Sequence, residues 1–194
     1  MEKKKQYESI ARKLIHIEIN KIKLKGAILD IGAKESCYSG NNAIKLDIAP
    51  YKGVNVVADA HNLPFKDNSF DNVMLIEVLE HLKAPAKAVS EMHRILDKKG
   101  KLVLAVPFMY PFHPDPYDYQ RFTKQGLEVL LQDFSNIRII GLGNFIALLG
   151  MYFEFLIERC IPSFSRIINI FIYLDKRMPI FKNTVLQYFV EAEK

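Results

Sequence analysis

The sequence predicts a doubly wound α/β sheet, mostly parallel, on three observations. Apolar runs of strand length alternate with helical patterns, the first run breaks at a glycine, and acids close successive runs on what becomes one edge of the sheet. Ala27-Ile28-Leu29-Asp30-Ile31-Gly32 is the first run, and Ile44-Lys45-Leu46-Asp47 is the second. A strand that ends in glycine brings backbone amides beside a ligand without side-chain hindrance. An acid closing the next strand is suited to accept hydrogen bonds from a ribose diol. Asp47 follows Asp30 by 17 residues, near the spacing of about 20 found in nucleotide-binding units of this kind.

The 194 residues suit one domain, and 49% hydrophobic with 25% charged content is ordinary for a folded globule. Residues 1–26 are read as a basic N-terminal helix, 27–142 as a ligand-binding core, 143–183 as an apolar helical insertion and 184–194 as a closing strand. The net charge of +5 resides in the arm before Ala27, which holds eight bases and three acids. This argues against a body-wide nucleic-acid surface. Within the arm Tyr7, Ile10, Ala11, Leu14, Ile15 and Ile22 follow an amphipathic spacing. That helix either lies against the fold near the ligand mouth or is drawn to an anionic membrane or substrate. No apolar core follows the first lysines, so no signal peptide is expected. Cys37 and Cys160 offer neither ligand spacing nor a disulfide framework, so no metal site is expected and a reduced cytoplasm is the simplest setting.

Val54 to Ala58 is a third strand, leading into Asp59-Ala60-His61, and a fourth runs from Ser69 towards Glu77. Ala84-Pro85 opens a helix with proline in its tolerated first turn, Val89, Met92, Ile95 and Leu96 supply its buried stripe, and Lys98-Lys99-Gly100 is expected to stop it. Leu102 to Val106 is unbroken apolar sequence, as in a central parallel strand covered on both faces. A helix over Thr123 to Phe134 and a strand around Ile137 to Leu142 follow. Asn144 to Asn183 reads as two helices joined at Pro162, with Val185 to Val190 as a final strand.

The ordered series Leu63-Pro64-Phe65, Ser69-Phe70-Asp71, Val78-Leu79-Glu80-His81 and His93-Arg94-Ile95-Leu96 ahead of Gly100 resembles the class I S-adenosylmethionine-dependent methyltransferases, type 11 group, over residues 26 to 140. The resemblance implies a Rossmann-like methyltransferase sheet, mostly parallel with an antiparallel last strand, and it makes the apolar helices an insertion before that strand. It implies S-adenosylmethionine as cofactor. Asp30 and Gly32, with Ala33, would face its methionyl end, Asp47 and Ile48 its ribose, and Asp59 and Ala60 its adenine. Glu77 would stand near the sulfonium. Family members usually carry three alternating glycines in the first loop, whereas this chain has Gly32-Ala33-Lys34-Glu35-Ser36. A side chain at Lys34 is placed to crowd the methionine part. The segment Cys37 to Asn42 is too short for the usual helix, so a loop or single turn is expected.

Methyl transfer needs positioning and desolvation, with a base only where the acceptor loses a proton. The acceptor side is assigned to Pro107 to Thr123, where prolines stiffen a segment bearing His113, Asp115, Tyr117, Asp118 and Arg121. His113 is the first choice for a base because an imidazole titrates near neutral pH. Glu77, Asp115 and Tyr117 complete the candidate catalytic set, and Tyr110, Tyr117 and Tyr119 are suited to stack on a sugar or shield a sulfonium. Each group also has a plain structural reading: Asp30 as a brace for loop amides, Asp47 as a strand terminator, Asp59 as a turn cap, Glu77 with Glu80 and His81 as a solvated short helix, and the proline-rich loop as a brace for the sheet.

The expected activity is O-methylation of a small or lipid-linked acceptor, with sugars among the candidates. One rival is an inactive cofactor-binding or partner-binding module, favoured by Lys34, Ser36 and the insertion. Another is an NAD-dependent oxidoreductase, which lacks support because G-x-G-x-x-G is missing. Glu154, Glu158 and Arg159 break the apolar stretch after Phe145 before it reaches spanning length. The insertion is left as a lid, a homodimer face or a peripheral membrane contact.

Overall fold

The computed structural model describes residues 8–35, 42–157, 165–177 and 184–194. Ser36, the turn expected from Cys37, the Pro162 junction and Tyr7 lie outside them. Seven strands form one sheet in the order β3-β2-β1-β4-β5-β7-β6. They are β1 (Ile28–Ile31), β2 (Ile44–Asp47), β3 (Val56–Val57), β4 (Phe70–Ile76), β5 (Leu96–Pro107), β6 (Ser135–Leu142) and β7 (Gln187–Glu193). β1 to β5 pair in parallel, and β7 runs antiparallel between β5 and β6. The order reverses between β1 and β4, and ligands of open α/β sheets bind above the strand ends at such a point.

Five helices cover the two faces: α1 (Ile10–Ile19), α2 (Pro85–Ile95), α3 (Lys124–Leu130), α4 (Phe145–Ile157) and α5 (Ser165–Arg177). The alternation of β5 decides which residue meets which layer. Leu102, Leu104 and Val106 pack with Val89, Met92 and Ile95 of α2 and Leu127 of α3, whereas Val103 and Ala105 pack with α1 and α4. Each such side chain contributes about 1.5–3 kcal/mol on burial.

The back layer is held by polar as well as apolar contacts. Glu154 of α4 is buried and accepts the Ile10 N–H at 3.0 Å, satisfying a donor that the first turn of α1 cannot use. Ser9 caps the same turn through the Arg12 N–H. Asp175 of α5 likewise accepts the Asn144 and Ala147 N–H groups at the start of α4, at 2.8 and 3.0 Å. The apolar stretch is thereby a wall of the fold, and no described residue of α4 or α5 lines the cavity above the ends of β1, β2 and β4. No described helix is long and apolar enough to cross a membrane.

Several boundaries differ from expectation. The helix predicted to stop at Lys98-Lys99-Gly100 ends at Ile95, because Leu96 already pairs with Phe70 and begins β5. β3 is only two residues, α3 stops at Leu130 instead of Phe134, and the final strand starts at Gln187. The basic arm is helical over Ile10–Ile19 alone among its described residues.

Candidate functional site

A cavity of about 380 Å³ opens above the ends of β1, β2 and β4, within the range of small-molecule and cofactor sites. Gly32 forms its floor. Its φ of +75° and the Val78 Cγ2 atom, which would stand 2.2 Å from an added Cβ, both require glycine. Asp47 is buried and accepts the Lys34 N–H at 3.0 Å and the Ala49 N–H at 3.4 Å. Two amides leave a carboxylate with acceptor capacity to spare.

Lys34 answers the question raised by the missing glycine. Its backbone supports Asp47, while its ammonium lies over the Tyr51 ring at 4.8 Å and pairs with Asp115 at 3.3 Å. The side chain therefore bridges the first loop and the proline-rich loop along the cavity wall. Asp59 lines the cavity beside Ala60 and accepts both the N–H and Nδ1 of His61, at 2.9 and 2.6 Å. The His61 backbone bond chiefly lowers its pKa, opposed by partial burial. Ile48 also lines the cavity, as do Glu77, Asp115 and Tyr117; Asp30 and Ala33 are buried beneath it and do not.

Glu77 leaves β4 with a φ of 55°, a left-handed conformation that costs strain for a residue with a side chain and recurs at functional sites. Burial, then the neighbouring Glu80, raise its pKa to about 7, against the opposing pull of Arg12 and His113. Arg12 reaches it from α1, 3.8 Å away. The basic helix thus supplies a cation beside Glu77.

The proline-rich loop is anchored to the segment after β4 through backbone groups. Tyr119 N–H donates to Glu80 O at 2.9 Å, Gln120 Nε2 to Leu82 O at 3.1 Å, and His81 Nδ1 to Tyr117 O. Within the loop Arg121 grips Asp118 through both guanidinium nitrogens, and Asp118 also accepts the His113 N–H. The guanidinium holds the Asp118 carboxyl well below the usual carboxylate range. His113 does not line the cavity. Its Nε2 stands 3.5 Å from Glu80 Oε1, and that carboxylate raises its pKa, while burial works against the rise. Sequence reasoning assigned no role to Arg12 or His61 and read Glu80 and His81, within the Val78-Leu79-Glu80-His81 motif, only as a solvated short helix, whereas Glu80 is fully buried.

Residues 28–104 match the methyltransferase-domain family. Over that stretch the chain resembles methyltransferase domains of the type 11 group. An uncharacterised protein of Methanocaldococcus jannaschii is 44% identical over 72 residues, 34% of this chain and 32% of that protein. A demethylmenaquinone methyltransferase of Renibacterium salmoninarum is 38% identical over 82 residues, 42% of this chain and 34% of that protein. The chain therefore spans about a third of the length of these curated relatives. A SAM-dependent methyltransferase of Archaeoglobus fulgidus shares the fold of the methyltransferase domain with a TM-score of 0.59 at 18% identity, over 94% of each chain. The cyclase SpnF shares it at a TM-score of 0.64 and 15% identity, over 95% of this chain and 82% of that one.

Proposed function

We propose that this protein is an S-adenosylmethionine-dependent methyltransferase acting on a small or lipid-linked acceptor, at oxygen. The observation that carries the reading is the cavity at the β1–β4 switch point, where Gly32, Asp47, Asp59 and Glu77 meet on one rim. The residues fit the cofactor: Gly32 admits no Cβ, Asp47 retains acceptor capacity for a diol, and Lys34 is directed to Tyr51 and Asp115. Bound S-adenosylmethionine supplies a methyl group already activated on a cationic sulfur.

The protein's own work is then orientation and charge. Asp47 would hold the ribose, Asp59 and Ala60 would hold the adenine, and Glu77 would face the positive end of the ligand. Tyr117 and Tyr119 present ring faces at the mouth, where they shield a sulfonium and exclude water. Glu77 titrates near neutrality, which suits it to take a proton from an acceptor hydroxyl. His113, the base expected from the sequence, does not line the cavity and acts on Glu77 through its charge.

Thermal shift with S-adenosylhomocysteine, S-adenosylmethionine and NAD in parallel tests the reading. A ligand at 100 times its Kd adds about 2.7 kcal/mol of stability. Stabilisation by both adenosyl ligands and not by NAD is expected, and the reverse pattern removes the proposal. A second reading, methylation of a quinol at carbon, draws support from the demethylmenaquinone methyltransferases among the relatives. Labelled methyl transfer into hydroxylated sugars and into demethylmenaquinol separates the two. Ligand binding without transfer to any extract would instead favour the inactive module.

A further inference from the structure

We propose that Glu80, His81 and His113 form a binding site for one divalent transition-metal ion. Their ligating atoms all lie within 4.8 Å of one another. Glu80 Oε1 is 3.6 Å from His81 Nε2 and 3.5 Å from His113 Nε2, close to the roughly 3.3 Å edge of a tetrahedron built with metal–ligand bonds of about 2.0–2.1 Å. Glu80 is fully buried, and neither carboxylate oxygen has a hydrogen-bond partner. A buried carboxylate left this way costs several kcal/mol unless a cation meets it.

The imidazoles are already oriented for that cation. His81 Nδ1 lies against the Tyr117 carbonyl and His113 Nδ1 against the Pro111 carbonyl, 3.1 Å away. A carbonyl only accepts, so each Nδ1 donates, and in the neutral ring each Nε2 then carries a lone pair. Metal-binding histidines commonly use their second nitrogen in this manner. Arg121 approaches His113 at 3.3 Å, but its guanidinium is engaged by Asp118 and the Pro111 carbonyl. In the neutral rings two lone pairs and a carboxylate thus converge. Two histidines and one carboxylate suit zinc, iron(II) or cobalt(II), leaving at least one coordination position open.

His81 lines the cavity above β1, β2 and β4 with Glu77, so the ion would border the sulfonium end of that space. There it would bind an acceptor hydroxyl and ease loss of its proton to Glu77. This consequence rests on the methyl-transfer reading; uptake of the ion does not. The expectation of no metal rested on the cysteines, which take no part.

The full chain, stripped with EDTA, is titrated with Zn²⁺ by calorimetry and with Co²⁺ by visible absorption. One ion per chain is expected, with cobalt bands of low coordination number. His81→Ala and His113→Ala should each lose about tenfold or more in affinity, while His93→Ala binds as the parent does. Glu80→Gln should abolish uptake; if it fails to fold, the two histidine variants, at partly exposed positions, decide alone. Absence of stoichiometric uptake, or uptake undiminished in the His81→Ala/His113→Ala double variant, overturns the site. S-adenosylhomocysteine titrated alongside keeps the two readings apart: its binding without metal uptake sinks this site alone, and metal uptake without it sinks methyl transfer alone.

Discussion

The two ends of the cavity are built on different principles. At the β1–β3 end each carboxylate accepts backbone amides of the strand-end loops: Asp47 those of Lys34 and Ala49, Asp59 that of His61. At the β4 end Glu77, Glu80 and His81 meet Arg12 from α1 and His113 from the proline-rich loop. The first end is polar with its charges bonded. The second concentrates buried charge that its own hydrogen bonds do not satisfy, and such groups are where pKa values move and cations bind.

The largest expected effect tests the β1–β3 end. Gly32→Ala places a Cβ against Val78 at a φ of +75°, adding left-handed strain to overpacking, and should cost about 2–5 kcal/mol in urea unfolding. Gly53→Ala, at a φ of +91° with nothing within 4 Å of the added Cβ, should cost only the strain of about 1–2 kcal/mol. Equal losses would mean that contact with Val78 is unimportant.

The charged end is tested by pH. Glu77 has a folded pKa of about 7 against an ordinary 4.5, so the folded state binds the extra proton between these values. Stability conferred by the protonated form is complete below 4.5 and declines as pH rises towards 7, by up to about 3 kcal/mol. Glu77→Gln should flatten that decline when unfolding is followed without added metal. A slope identical to the parent's would show that Glu77 titrates normally.

Asp47→Ala should weaken S-adenosylhomocysteine binding by about 10–100-fold, the worth of a charged hydrogen bond; calorimetry showing unchanged affinity would take Asp47 out of the site. Smallest of all, Lys34→Ala should alter stability by less than about 0.5 kcal/mol, since its partner Asp115 is well exposed. A large gain in cofactor affinity in that variant would reveal Lys34 as an obstruction.

The sheet was legible in the sequence because its strands are continuous apolar runs and its helices carry periodic ones. The strand ends at Gly32, Asp47 and Glu77 were legible for the same reason. The end of α2 was misjudged because Lys98-Lys99-Gly100 looks like a helix stop, while long-range pairing of Leu96 with Phe70 had already drawn the chain into β5. His113 was read from the sequence as the base, yet its position away from the cavity, beside Glu80, depends on contacts with Glu80 and Asp118 that no local pattern encodes.

Sequence alone determined the α/β alternation, the glycine at the first strand end and the acids at successive tips, since each follows from local periodicity and from backbone conformations that few residues adopt. Only the tertiary structure decided that the apolar helices form the back wall with α1, that Lys34 bridges to Asp115, and that Glu80 lies buried between two imidazoles. Those outcomes depend on which distant segments pack together, and packing energy is a property of the assembled layers rather than of any one stretch of chain.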